Sequence, residues 1–172
     1  MAADAPTPTP NAPQNPTPEP ARKFLVVVDG SVEMRAALRF ACRRAKHTDG
    51  IVALLYVVPK TEFHHFAAIG ELMDREARSD AEKLLQQLAA EVHRQTGRYP
   101  SFYIREGDVL TQLLDVIAGD RSFSVLVLGA GGGGEGPGPI VSALSGKLAG
   151  KIRIPVTIVP GTLTDDKLEA VT

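Results

Sequence analysis

Short apolar runs that alternate with helical patterns are the feature of this sequence that most restricts its fold. Five runs rich in β-branched, aromatic and other apolar residues have the length of buried strands, and they begin at Phe24, Ile51, Ser101, Ser124 and Pro155. Between them, apolar residues recur at intervals of three and four, as in amphipathic helices. This alternation, with right-handed crossovers, predicts an α/β fold: a doubly wound five-stranded parallel sheet with strand order 3-2-1-4-5.

The chain divides into a tail, one domain and a second short tail. Residues 1–21 hold seven of the thirteen prolines, with many threonines, and predict a disordered tail that favours extended polyproline II. This tail is interpreted either as a solvated spacer or as a docking ligand for a partner domain. Residues 22–161 form the predicted domain, and residues 162–172 a polar C-terminal tail.

Charge and cysteine usage restrict the partners and the compartment. The 19 Lys and Arg residues nearly balance the 20 Asp and Glu residues, so there is no field that would attract nucleic acid or an anionic membrane. No apolar stretch approaches the length of about 18 residues that spans a bilayer, and the N-terminus lacks an export pattern. The single cysteine, Cys42, has helical spacing from Leu38 and Ala45, which favours a buried core thiol. We expect a cytoplasmic protein without nucleic-acid or membrane partners.

Two loops are expected to meet at the carboxyl end of the sheet, where the strand order reverses between the first and fourth strands. The first loop is Asp-Gly-Ser at 29–31, and the second, residues 129–138, contains seven of the sixteen glycines. Glycine lets a phosphate approach the backbone, and successive N–H groups form an anion cradle. A connection that binds nothing would also account for the glycines, so both interpretations stand at this point.

Three segments carry a resemblance to a known family. They are Val-Asp-Gly-Ser at 28–31, Leu-Leu-Tyr-Val-Val at 54–58 and Ile-Pro-Val-Thr-Ile-Val at 154–159. In these segments the chain resembles the universal stress protein (UspA) family, and the resemblance extends over residues 23–160. It implies a fold like that of the adenine nucleotide alpha-hydrolases and a role in stress response or signalling.

The resemblance also implies an adenine-nucleotide site. In the nucleotide-binding branch of the family, the loop after the fourth strand reads Gly, two residues, Gly, nine residues, Gly, then Ser or Thr. Gly129 and Gly132 match the first two positions, and the same spacing leads to Ser142 and Ala143 in place of the final pair.

Two further positions match family residues that contact the nucleotide. Asp29 matches a nucleoside contact, and Val57 matches the position in the second strand whose backbone meets the adenine. The implied cofactor is ATP, and the predicted binding residues are Asp29, Val57, Gly129, Gly132 and Ser142.

The predicted function is therefore a stress-response domain that binds an adenine nucleotide and forms a homodimer. The resemblance and the apolar last strand place the dimer contact at Val156, Thr157, Ile158 and Val159. The alternatives are a ligand-free homodimeric interaction protein of the same fold and a slow ATP hydrolase. No catalytic residue is predicted, because the loop lacks the Gly-Lys-Ser or Gly-Lys-Thr ending of a P-loop. No metal site is predicted either, because the adjacent His64 and His65 have no third ligand nearby.

Overall fold

A computed structural model of the protein describes residues 21–59, 67–132 and 136–172. Residues 1–20 of the predicted tail, His64 and His65 lie outside the described residues. Within them, five parallel strands form a single sheet in the order β3-β2-β1-β4-β5, which confirms the predicted fold class and strand order. The strands are β1 (Lys23–Val28), β2 (Ile51–Val58), β3 (Ser101–Glu106), β4 (Phe123–Ala130) and β5 (Val156–Pro160). The helices are α1 (Val32–His47), α2 (Ala67–Thr96), α3 (Val109–Gly119), α4 (Pro139–Ser145) and α5 (Asp165–Val171).

The position of β1 in the centre of the sheet explains why its sequence is apolar without alternation. Val26 lies in a cluster that includes buried residues of α1, α2 and α5, while Leu25 lies in a second cluster with residues of α3 and α4. Both side chains are fully buried, because helices cover both faces of the sheet. Cys42 belongs to the first cluster, where burial and the charge of Glu91 raise the pKa of its thiol to about 12.

The helices that follow β1 and β3 each begin at a side chain that caps the helix. The hydroxyl of Ser31 accepts a hydrogen bond of 3.1 Å from the Met34 backbone N–H at the start of α1. The carboxylate of Asp108 accepts one of 2.9 Å from the Thr111 backbone N–H at the start of α3. This backbone bond, with a second from the Thr111 hydroxyl, holds the pKa of Asp108 below its ordinary value. The caps fix where both helices leave the carboxyl end of the sheet.

A polar cluster joins the strands at the opposite, amino end of the sheet. The ammonium group of Lys23 donates to the Asp120 carboxylate at 2.8 Å and to the Tyr103 hydroxyl at 2.9 Å. Tyr103 and the Ser122 backbone N–H also donate to Asp120, each at 2.8 Å. Partial burial alone would raise the pKa of Asp120, but the bonds from Lys23, Ser122 and Tyr103 outweigh it and hold that pKa well below its usual range. For Lys23, burial acts to lower the pKa and the bonds to Asp120 and Tyr103 raise it above its ordinary value.

The end of the chain differs from the polar tail expected for residues 162–172. Residues Asp165–Val171 form α5, and its Leu168 is 0% exposed within the core cluster that contains α1. Arg43 donates to the backbone carbonyl of Asp165 at 2.8 Å, and Arg44 to that of Thr172 at 2.9 Å. The burial of Leu168 and the hydrogen bonds from α1 together hold α5 against the domain, although the surrounding sequence is polar.

Among the described residues, no helix combines the length and the apolar character needed to cross a membrane.

Candidate functional site

A cleft opens between the carboxyl ends of β1 and β4. It has a volume of about 400 Å³, counting the space open to solvent. The residues that line it come from both strands, α1, the loop after β4 and α4: Val27, Asp29, Met34, Leu128, Gly129, Pro137, Gly138, Pro139, Ile140 and Val141. Met34 of α1 and Val141 of α4 belong to the two different core clusters, so the helices diverge to opposite faces of the sheet here. This divergence creates the crevice in which open α/β sheets bind ligands.

The turn after β1 forms one wall of the cleft. Asp29 is exposed, and its carboxylate accepts a hydrogen bond of 2.9 Å from the backbone N–H of Ser31. Gly30 has a φ of 76°, in the left-handed region that glycine adopts readily. The turn therefore holds a carboxylate at the mouth of the cleft.

The end of β4 forms the opposite wall and packs directly against the first turn of α1. A Cβ atom on Gly129 would overlap the Glu33 carbonyl and lie 2.8 Å from the Met34 backbone nitrogen. A Cβ atom on Gly131 would lie 3.7 Å from the Glu33 carboxylate oxygen Oε1. Gly129 is thus required for packing between strand and helix, whether or not a ligand is bound.

The structure brings two of the five predicted site residues together in the cleft, Asp29 and Gly129. Val57 packs against the core cluster on the same side of the sheet as Val27, but it does not line the cleft. Gly132 is exposed, and a Cβ atom there would lie 3.1 Å from the Thr162 methyl carbon. Ser142 is exposed in the second turn of α4, where its backbone N–H donates to the Gly138 carbonyl at 3.0 Å.

Counting residues along the loop placed the third glycine position of the family pattern at Ser142, which the structure shows to lie inside α4. The helix starts at Pro139, directly after Gly138, which has a φ of 92° and lies at the N-cap. Gly138 follows Gly132 after five residues, whereas a spacing of nine leads to Ser142. The Gly-Pro pair was the available signal, because proline is favoured at the first position of a helix.

The described residues that line the cleft carry negative charge and no positive charge. Asp29 is the one charged residue among those that line it, and no lysine, arginine or histidine does so in the described part of the chain. The described residues also contain no group of three or more His, Cys, Asp or Glu side chains that could hold a metal ion.

The chain that forms this sheet and this cleft also matches a known protein family. Residues 20–160 match the universal stress protein family. The chain belongs to that family. No curated protein matches the chain in sequence.

Several solved universal stress proteins share the fold. Universal stress protein UspA from Lactobacillus plantarum has a TM-score of 0.69 at 19% identity, covering 80% of this chain and 97% of its own. A universal stress protein family protein from Arabidopsis thaliana with AMP bound has a TM-score of 0.60 at 19% identity, covering 85% and 94%. A universal stress protein in complex with cAMP has a TM-score of 0.51 at 17% identity, covering 83% and 98%. At these identities the likeness shows a common fold.

Proposed function

We propose that this universal stress protein is a signalling domain that binds an adenine nucleotide in the cleft between β1 and β4. The observation that carries the proposal is the Asp29 carboxylate at the mouth of a cleft whose other described lining residues are uncharged, at the point where the strand order reverses. The AMP and cAMP complexes of proteins with the same fold support the same class of ligand.

The lining residues suit the nucleoside part of such a ligand. Val27 and Leu128 present apolar side chains from adjacent strands, which favours contact with a flat base. The Asp29 carboxylate accepts hydrogen bonds, and ribose hydroxyl groups donate them. We keep Val57 as a candidate base contact, because it packs on the same side of the sheet as Val27. Gly132 and Ser142 lie outside the cleft lining and receive no role in the proposal.

Replacement of Asp29 tests the nucleoside contact. We expect Asp29→Ala to weaken AMP binding about tenfold to hundredfold, because a hydrogen bond to a charged group contributes about 1.5–3 kcal/mol. Calorimetric titration with AMP measures the change. Asp115→Ala is the matched control, because it removes an exposed carboxylate from α3 without touching the cleft. The proposal fails if AMP, cAMP, adenosine and ATP all leave the parent protein unbound at millimolar concentration.

We further propose that β5 is the dimer contact. It is an edge strand of the sheet, and Val156 and Ile158 are 36% and 44% exposed. The opposite edge, β3, also exposes apolar side chains but ends in Arg105 and Glu106, and charged residues discourage pairing between edge strands. An uncharged edge strand pairs more readily with a second copy of itself in a symmetric dimer.

A lysine on β5 tests this contact. We expect Ile158→Lys to convert the dimer to a monomer at micromolar concentration, because a charge would be buried without a partner at the interface. Sedimentation velocity measures the mass. Ile104→Lys on β3 and Val171→Lys on α5 are controls that place the same charge at other exposed apolar positions and should leave the dimer intact. A monomeric parent protein, or a dimer that only Ile104→Lys dissociates, would contradict pairing through β5.

A further inference from the structure

We infer that the cleft selects against polyphosphates and prefers adenosine, AMP or cAMP to ATP by at least about tenfold. This inference rests on the proposed function, since it names the class of adenine ligand that the same site accepts. It follows from three features of the residues around the cleft, each of which disfavours a chain of phosphate groups.

The first feature is the charge of the lining. Among the described lining residues, Asp29 is the one that carries a charge, and none is a cation. Sites that hold several phosphates normally provide lysine or arginine side chains as well as backbone N–H groups. Each additional phosphate therefore adds repulsion here without adding an ion pair.

The second feature is a carboxylate behind the glycine loop. The Glu33 side chain lies between Gly131 and Gly161: its Oε1 atom is 3.7 Å from a Cβ built on Gly131, and its Cγ is 2.7 Å from one built on Gly161. Phosphates over this part of the loop would approach the Glu33 charge. The backbone that would otherwise serve as an anion cradle is thus placed next to a negative group.

The third feature is Pro139, the first residue of α4 and part of the cleft lining. Proline has no backbone N–H and its ring carries no hydroxyl, so this position offers no hydrogen-bond donor to a phosphate. Gly138 before it makes no side-chain capping bond. The first residue of α4 therefore contributes no donor to the cleft, and the backbone N–H groups of this helix begin only at Ile140.

The nucleoside part of the ligand meets none of these obstacles. Val27 and Leu128 supply apolar contact, and Asp29 supplies the acceptor for hydroxyl groups. A ligand with at most one phosphate can fill the cleft between these residues and brings the least negative charge close to Asp29 and Glu33. ATP would have to place its additional phosphates either in bulk water or against Glu33 and Pro139.

The ratio of AMP affinity to ATP affinity, measured by calorimetry with and without magnesium, tests the inference. We expect the parent protein to bind AMP at least about tenfold more tightly than ATP. Pro139→Ser supplies an N–H and a hydroxyl group, and should lower the ratio by about tenfold through a hydrogen bond to a charged acceptor. Glu33→Gln removes the carboxylate and should lower the ratio by several-fold. Pro155→Ser, which replaces an exposed proline before β5 outside the cleft lining, is the matched control and should leave the ratio unchanged.

The outcomes separate this inference from the proposed function. If ATP binds the parent protein as tightly as AMP, or if neither Pro139→Ser nor Glu33→Gln changes the ratio, selection against polyphosphates is wrong while the nucleotide site stands. If no adenine compound binds, the proposed function fails and the inference fails with it. Thermal unfolding of each variant confirms that the titrated protein is folded.

Discussion

Gly129→Ala is expected to lower the free energy of unfolding by about 3 kcal/mol, the largest effect expected of a glycine-to-alanine change among the described residues. The new Cβ would overlap the Glu33 carbonyl and lie 2.8 Å from the Met34 nitrogen. Both groups belong to the backbone of α1, so no rotation of a side chain relieves the overlap. The strand and the helix must move apart, which also disturbs the wall of the cleft.

Denaturant titration measures this loss, and the thermal midpoint should fall by about 6–12 °C for a domain of this size. Gly119→Ala is the matched control, because a Cβ on that helical glycine would meet no atom within 4 Å. It should be neutral or stabilising by up to about 1 kcal/mol, since alanine is favoured over glycine in helices. Equal stability of the Gly129→Ala and Gly119→Ala proteins would show that β4 does not pack closely against α1.

Leu168→Ala is expected to destabilise the protein by about 3 kcal/mol, within the range for leucines removed from a well-packed core. Leu168 is 0% exposed and contributes the one buried side chain of α5. Without it, the helix keeps mainly its polar contacts with α1, such as the Arg43 and Arg44 bonds to backbone carbonyls.

Val171→Ala is the control on the same helix, because Val171 is 60% exposed and should contribute little. Both variants are compared by denaturant titration. A change below about 0.5 kcal/mol for Leu168→Ala would indicate that residues 162–172 behave as the polar tail that their composition suggests.

The sheet could be predicted from the sequence because each parallel strand covered on both faces must be apolar throughout. The uninterrupted run from Phe24 to Val28 is such a segment, and its burial in two separate clusters confirms the interpretation. The handedness of crossovers restricts the sheet to a few doubly wound strand orders, of which 3-2-1-4-5 is one, and this constraint does not depend on the exact ends of elements.

The parts of the structure that differ from the prediction depend on single residues. A helix docked by one leucine has no periodic pattern, so Leu168 gave no signal in the sequence. The length of the loop varies, and a spacing rule cannot show that Gly138 is the N-cap and Pro139 the first residue of α4. The spacing rule also does not indicate Pro139, Ile140 and Val141, which line the cleft, whereas Asp29 follows β1 directly and Gly129 lies within β4, so that a strand pattern does indicate their positions.

The polar cluster of Lys23, Tyr103 and Asp120 joins strands near the amino end of the sheet, whereas the cleft opens at the carboxyl end. Lys23 begins β1, and Val27, which lines the cleft, is four residues further along the same strand, about 13 Å away. Substitutions that far apart contribute additively to stability. The surroundings of the cleft can therefore change, by substitutions such as those at Pro139 and Glu33, while the strands remain joined at the other end. Within one fold, the lining of the cleft and the integrity of the scaffold are then free to evolve independently.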